Sequence, residues 1–194
     1  NNRFWRKRVD YNPNSPYGHD GRWRWILFDT DFGFGLYEHF GDYNSNTLVP
    51  ATQADGTQWP NPDWSTFLFR NLLKNETFKN EFISRFADHL NTSFKTERVV
   101  ERITDMKNLI EPEIEEHNQR WFNIGDWEKS IDVMLKFAEE RPEKQRDHIV
   151  SFFNLQGISS INLNVSDKNH GHIKINSIDI NENTAGTKGA VYPW

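Results

Sequence analysis

The sequence predicts an α+β fold that is mainly α-helical, and three observations carry that expectation. Hydrophobic residues recur at helical spacing across residues 63–156; a zone rich in Gly, Pro, Asn and Trp with one strand precedes them; short alternating runs follow Gly157. At 194 residues, 36% of them hydrophobic, the chain is long enough for one good-sized domain with a buried core.

In the first zone, residues 1–62, the stretch Trp23–Phe28 reads as a strand. It runs into Asp29-Thr30-Asp31-Phe32-Gly33-Phe34-Gly35, a glycine-loosened loop. Trp23 and Trp25 alternate with Arg22 and Arg24, which predicts a half-buried strand with both indoles packed inward. Next, Asp63 or Ser65 is placed to cap a helix bearing Phe67, Leu68, Leu72 and Leu73. Phe78, Phe82, Ile83, Phe86 and Leu90 then form an inward-facing stripe of a second helix, and Val99, Val100, Ile103, Met106 and Ile110 mark a third. A further period through Ile131, Met134, Leu135 and Ala138 is expected to end near Arg141-Pro142, because proline lacks the N–H that continues a helix. One more short helix to Phe153 completes the zone. Beyond Gly157, Ile161, Leu163 and Val165 alternate, as do Ile173 and Ile175, while Ile178 and Ile180 switch parity as a bulge or a new strand would. So few short strands cannot sustain a core, so they either pack on the helices or open a β-rich module. The expected division is therefore a domain over 1–156 and the start of a second module over 157–194.

Composition excludes several classes. A net charge of −5, with 26% charged residues, argues against nucleic acid as a partner. The absence of cysteine removes disulfides, thiolate nucleophiles and Cys-ligated metals. No run approaches the length of a membrane span, and Asn1-Asn2-Arg3-Phe4-Trp5-Arg6-Lys7-Arg8 is no signal peptide. With no initiator Met, the chain is expected to begin at an internal cut, and its last strands to belong to a module that continues past Trp194. The 15 Phe and 8 Trp are an aromatic load to be buried or used for binding.

Asp29 and Asp31 stand at the end of a strand, and hard oxygen ligands so placed suit Mg²⁺ holding phosphates. The short motif alone reads more readily as a β-turn carrying exposed carboxylates. In protein kinases a metal-binding Asn follows the catalytic-loop Asp by five residues, and the Asp-Phe-Gly aspartate comes about 20 residues later. Asn1 and Asn2 lie 28 and 27 residues before Asp29, with a Pro/Gly-rich insertion between. Three other sets read as bland or open. His170-Gly171-His172 lacks a third ligand and reads as exposed turn residues. Glu113, Glu116 and His117 read as a solvated helix face. Arg3, Arg6, Lys7 and Arg8 fit phosphate-holding and ordinary surface charge equally well.

The start Asn1-Asn2-Arg3-Phe4-Trp5-Arg6, the segment Trp25-Ile26-Leu27-Phe28-Asp29-Thr30-Asp31-Phe32-Gly33-Phe34-Gly35 and the run Phe67-Leu68-Phe69-Arg70-Asn71-Leu72-Leu73 together resemble the CotH kinase family, atypical protein kinases like spore coat protein H. The likeness continues through Phe82-Ile83-Ser84-Arg85-Phe86-Ala87-Asp88-His89-Leu90-Asn91-Thr92, Glu111-Pro112-Glu113, His117, Arg120-Trp121 and Phe137-Ala138-Glu139-Glu140-Arg141-Pro142, to about residue 155. The resemblance implies a portion of an atypical kinase fold like its carboxyl lobe, with ATP and Mg²⁺ (or Mn²⁺) as cofactors. Ser or Thr of a surface or coat protein would be the acceptor, with a location outside the cell or in the spore coat. It implies Asn2 (or Asn1), Asp29 and Asp31 as metal ligands, although Asp31 directly precedes Phe32-Gly33. The catalytic base would lie just before residue 1 and the ATP-contacting Lys further upstream, so the chain by itself is expected to be inactive. Two other readings remain: a structural pseudokinase at the surface, and a carbohydrate-binding surface protein suggested by the Trp load.

Overall fold

A computed structural model of the protein describes residues 3–26, 30, 33–36, 42–54, 62–121, 125–163, 171–181, 184 and 191–193. Helices dominate it, with a few short strands in two-stranded sheets, so the predicted mainly helical α+β class holds. The chain separates into two compact units, Asn1–Gly33 and Phe34–Trp194.

The first unit is built on β1 (Arg3–Trp5) and β2 (Arg24–Ile26), paired antiparallel with Arg3 opposite Ile26, Phe4 opposite Trp25 and Trp5 opposite Arg24. The predicted strand is thus present over Arg24–Ile26, and Leu27 and Phe28 lie outside the described residues.

The second unit is the helical body: α1 (Leu48–Thr52), α2 (Asp63–Leu72), α3 (Glu76–Asn91), α4 (Thr96–Ile110), α5 (Ile114–Trp121) and α6 (Trp127–Phe152). A 3-10 turn, Glu111–Glu113, joins α4 to α5. Asn75 and Asp126 cap α3 and α6, their side chains accepting from the N–H groups of Phe78 and Lys129. The predicted cap of α2 is absent: Pro62 holds that position, and the Ser65 hydroxyl donates back to the Pro62 carbonyl.

The aromatic stripe of α3 faces inward as its spacing requires. Phe82 and Phe86 pack against the buried trio Leu48, Leu90 and Ile149, and Phe82 meets the rings of Phe69, Phe86 and Phe153 at 5.1, 5.3 and 6.0 Å. From α2, Thr66 is buried and Phe69 is the ring that packs inward, while Phe67, Leu68 and Leu72 are exposed, contrary to the expected apolar face. A second core joins α4 to α6, where Ile103, Ile131 and Ala138 are buried among Val99, Val100 and Met134. Helix α1 was not expected; its Leu48, held at the helix start by the Asn46 side chain, completes the first core.

The largest departure from the sequence reading is α6, which does not stop at Pro142 but runs unbroken for 26 residues. A proline inside a helix orphans the carbonyl four residues earlier, here that of Ala138. The Thr96 hydroxyl, from the first turn of α4, donates to that carbonyl at 3.3 Å, and Pro142 itself is buried. Packing on α4 therefore covers the break that the local sequence predicts.

After α6, β3 (Ser160–Asn162) pairs antiparallel with β6 (Val191–Pro193), and β4 (Ile173–Ile175) pairs with β5 (Ile178–Ile180). The parity switch at Ile178 is thus a new strand across a two-residue turn, Asn176-Ser177, with Asn176 at φ 47°. That turn is fastened to α3. Asp88, 1% exposed, accepts hydrogen bonds from Asn176 Nδ2 at 2.9 Å, Ser177 Oγ at 2.8 Å and Ser177 N at 3.3 Å.

Two stability outcomes follow from this packing. Phe82→Ala should cost about 3 kcal/mol in urea unfolding, because the vacated ring volume is enclosed by three other aromatic rings. Thr96→Val, nearly the same shape, should cost about 1–2 kcal/mol by leaving the Ala138 carbonyl without its donor. A Thr96→Val protein as stable as the parent would show that the bond to Ala138 is not what tolerates Pro142.

Candidate functional site

The predicted metal ligands Asn2, Asp29 and Asp31 lie outside the described residues. What is described is the frame that borders them in sequence: the β1–β2 pair and, after β2, a hydrogen bond from Gly33 N to the Thr30 carbonyl at 3.0 Å.

That frame is held by one carboxylate. Asp20, 3% exposed, accepts from Arg24 Nη2 at 2.7 Å and from the Arg22 backbone N–H at 3.2 Å on Oδ1, and from Arg22 Nε at 2.7 Å on Oδ2. Arg24 also donates to the Arg22 carbonyl at 3.1 Å and lies over the rings of Tyr17 and Trp5, 4.8 and 5.9 Å from their centroids. Charge-assisted bonds of this kind suit a partly desolvated pair, because each leftover donor finds a carbonyl or a ring face. Burial pushes the Asp20 carboxyl up, but hydrogen bonds from Arg24 and then Arg22 outweigh it and hold the pKa at about 2.

Gly21, next to this carboxylate, has φ 78°, and a Cβ there would come within 2.6 Å of the Val9 carbonyl oxygen and 2.9 Å of that of Asp10. Only glycine fits so close a crossing of two backbones. The Asn12 N–H to Asp20 carbonyl bond, 3.1 Å, closes the Pro/Gly-rich insertion beside it.

The opposite face of the β1–β2 pair is aromatic and open. Phe4, Trp23 and Trp25 are 58%, 60% and 64% exposed, with Phe4 edge-on to both indoles at 5.3 and 5.5 Å, so the expected inward packing of Trp23 and Trp25 does not occur. Arg6 lies 5.1 Å above the Trp23 ring. Sequence alternation identified these indoles as one face but not which face is covered, since period 2 is blind to the choice.

The remaining sets stay as the sequence read them. Glu113, Glu116 and His117 are exposed, although Glu113 and His117 line a cleft of about 400 Å³ with Ile110, Ile114 and Trp127. His172 is exposed and His170 lies outside the described residues. Among the described residues no group of three or more His, Cys, Asp or Glu is arranged to hold a metal ion, and no helix is long and apolar enough to cross a membrane. Asp20 with its two arginines was not singled out beforehand; the signal was an Asp followed at two and four residues by Arg beside a strand.

A family model described as CotH kinase protein matches residues 3–144. No curated protein matches the chain, and no solved structure does.

The Asp20 clamp has a pH signature. Because its pKa is depressed, the stabilisation it contributes is fully present above the ordinary carboxylate pKa near 4 and is lost as pH falls through about 2. A ¹³C-carboxyl titration of Asp20 should find its midpoint near 2, and Asp20→Asn should abolish this acid transition. A midpoint near 4 would mean that the two arginines do not hold the carboxylate in solution.

Proposed function

The chain belongs to the CotH kinase protein family, and on that premise we propose that it is the carboxyl-terminal part of an ATP- and Mg²⁺-dependent protein kinase. The reading assigns it transfer of the γ-phosphoryl group to Ser or Thr of a surface or coat protein. It takes residues 1–156 as the kinase-like domain and 157–194 as the opening of a β-rich module. Asn2, Asp29 and Asp31 are the proposed metal ligands.

The observation that carries this reading is the β1–β2 register. Arg3, the residue after Asn2, stands opposite Ile26, three residues before Asp29. An Asn and an Asp on the two chains leaving one end of a short strand pair is the arrangement that kinases use to hold metal and phosphate. The donor set is also of the right kind, since amide and carboxylate oxygens are the ligands Mg²⁺ prefers.

In this reading Mg²⁺ supplies charge neutralisation on the phosphates. The chain's own residues do the holding. The amide oxygen of Asn2 and the carboxylates of Asp29 and Asp31 would be the groups that hold the ion, while the Asp20–Arg22–Arg24 clamp keeps β2 and the insertion before it in one arrangement. The base that accepts the hydroxyl proton and the lysine that holds the nucleotide belong, by the family pattern, upstream of Asn1. Phosphoryl transfer needs these parts positioned together.

A second reading, carbohydrate binding, has one observation in its favour: Phe4, Trp23 and Trp25 form an exposed aromatic face of the kind that stacks on sugar rings. Glycan binding by the chain, lost in Trp25→Ala and unaffected by Mg²⁺–ATP, would favour it.

The kinase reading is tested by phosphate incorporation from radiolabelled ATP. Three proteins are compared: the longer protein carrying the upstream motif, its Asp29→Ala variant, and the 194-residue chain. The longer protein should label an acceptor, the variant should be slower by on the order of a thousandfold, and the chain alone should be inactive. An undiminished Asp29→Ala protein would remove Asp29 from the site.

A further inference from the structure

Between α3, α6 and the turn joining β4 to β5 lies a slot of about 140 Å³. Its walls are apolar, formed by Ala87 and Leu90 of α3, Ile149 of α6 and Leu155 just beyond it. Arg146 is the one charged residue that lines it, and Ser84 and Asn176 add polar groups. Arg146 donates to Asn91 Oδ1 at 3.0 Å, and among the described residues it has no carboxylate within ion-pair distance. Asn176, which closes the slot from the hairpin side, spends its amide N–H on Asp88, and that carboxylate is already satisfied by three donors.

We propose that this slot binds a short aliphatic carboxylate, its tail against the helices and its head on Arg146. The argument is one of complementarity. A guanidinium has five N–H donors in a planar fork that matches a carboxylate, and here one bond to a neutral amide is its hydrogen-bonded use. Burial pushes the Arg146 pKa down and only Glu143, on its own helix, opposes this, so an added anion restores what desolvation removes. The size limits the tail. Drug-sized ligands occupy pockets of roughly 300–1,000 Å³, so this slot admits only one small hydrocarbon group. A mainly apolar lining with one cation among its residues selects an anion with a hydrocarbon tail over inorganic phosphate or a sugar. The site is separate from the phosphoryl-transfer reading and does not rest on it.

The test is an NMR titration of the ¹⁵N-labelled chain with 4-methylpentanoate, and with 4-methylpentanamide as the uncharged match. Saturable shifts centred on Ala87, Leu90 and Ile149 are expected from the acid, with the amide at least roughly tenfold weaker. Arg146→Met should weaken the acid by roughly ten- to a hundredfold, the range of a lost charged hydrogen bond, and Arg146→Lys should retain part of the affinity. Should Arg146→Met fail to fold by circular dichroism, Ala87→Leu decides the matter: it fills the slot with Arg146 intact and should abolish the shifts. Equal binding of acid and amide, shifts that persist in Ala87→Leu, or no saturation up to roughly 10 mM acid would overturn the proposal.

Discussion

The continuity of α6 through Pro142 is the constraint on which the helical body depends. Were the helix to break there, Ala138 and Ile149 would leave a common axis, and the cores they anchor, one against α4 and one against α3 and α1, would lose their shared wall. The helix persists because α4 supplies what proline removes, a donor for the Ala138 carbonyl. Arg141, the neighbour of that proline, extends the same logic outward. It donates to the carbonyls of Tyr43 and Ser45 at 3.0 and 2.6 Å and to Gln145 Oε1 at 2.7 Å, so the irregular segment before α1 hangs from the middle of α6. Phe34, strained at φ 57°, lies against Phe137 of the same helix, 5.7 Å between ring centroids.

Two buried carboxylates do for the irregular parts what α6 does for the helices. Asp20 gathers two arginines and a backbone N–H in the first unit, and Asp88 gathers a hairpin turn in the second. Each satisfies the rule that a charge taken from water must be repaid by several donors at once. The difference lies in the partners. Asp20 is held by cations, whereas Asp88 is held by an amide, a hydroxyl and a peptide N–H, and so ties the β4–β5 hairpin to α3 with no ion pair among the described residues.

Functionally, the chain belongs to the CotH kinase protein family, and the metal-assisted phosphoryl transfer proposed for it would take place beside the β1–β2 pair. The slot beside Arg146 lies in the other unit and belongs to a different chemistry, which makes the two readings separable by experiment.

The sequence by itself determined α2, α3 and α4, the inward stripe of Phe82, Phe86 and Leu90 and the family, because each is written in local periodicity or in motif spacing. Tertiary structure alone decided the rest. Pro142 reads as a stop until a hydroxyl 46 positions earlier in the chain is placed against Ala138. Trp23 and Trp25 read as buried because alternation names a face without saying what covers it, and Phe69 displaced Phe67 and Leu68 because a helix with apolar residues all round leaves the choice to its neighbours. Neither the family-like run that contains Asp88 nor the stretch around Arg146 says what either residue holds. Their roles come from partners far along the chain, Asn176 and Ser177 for one and Asn91 for the other, and a contact between distant segments exists only once the packing has brought them together.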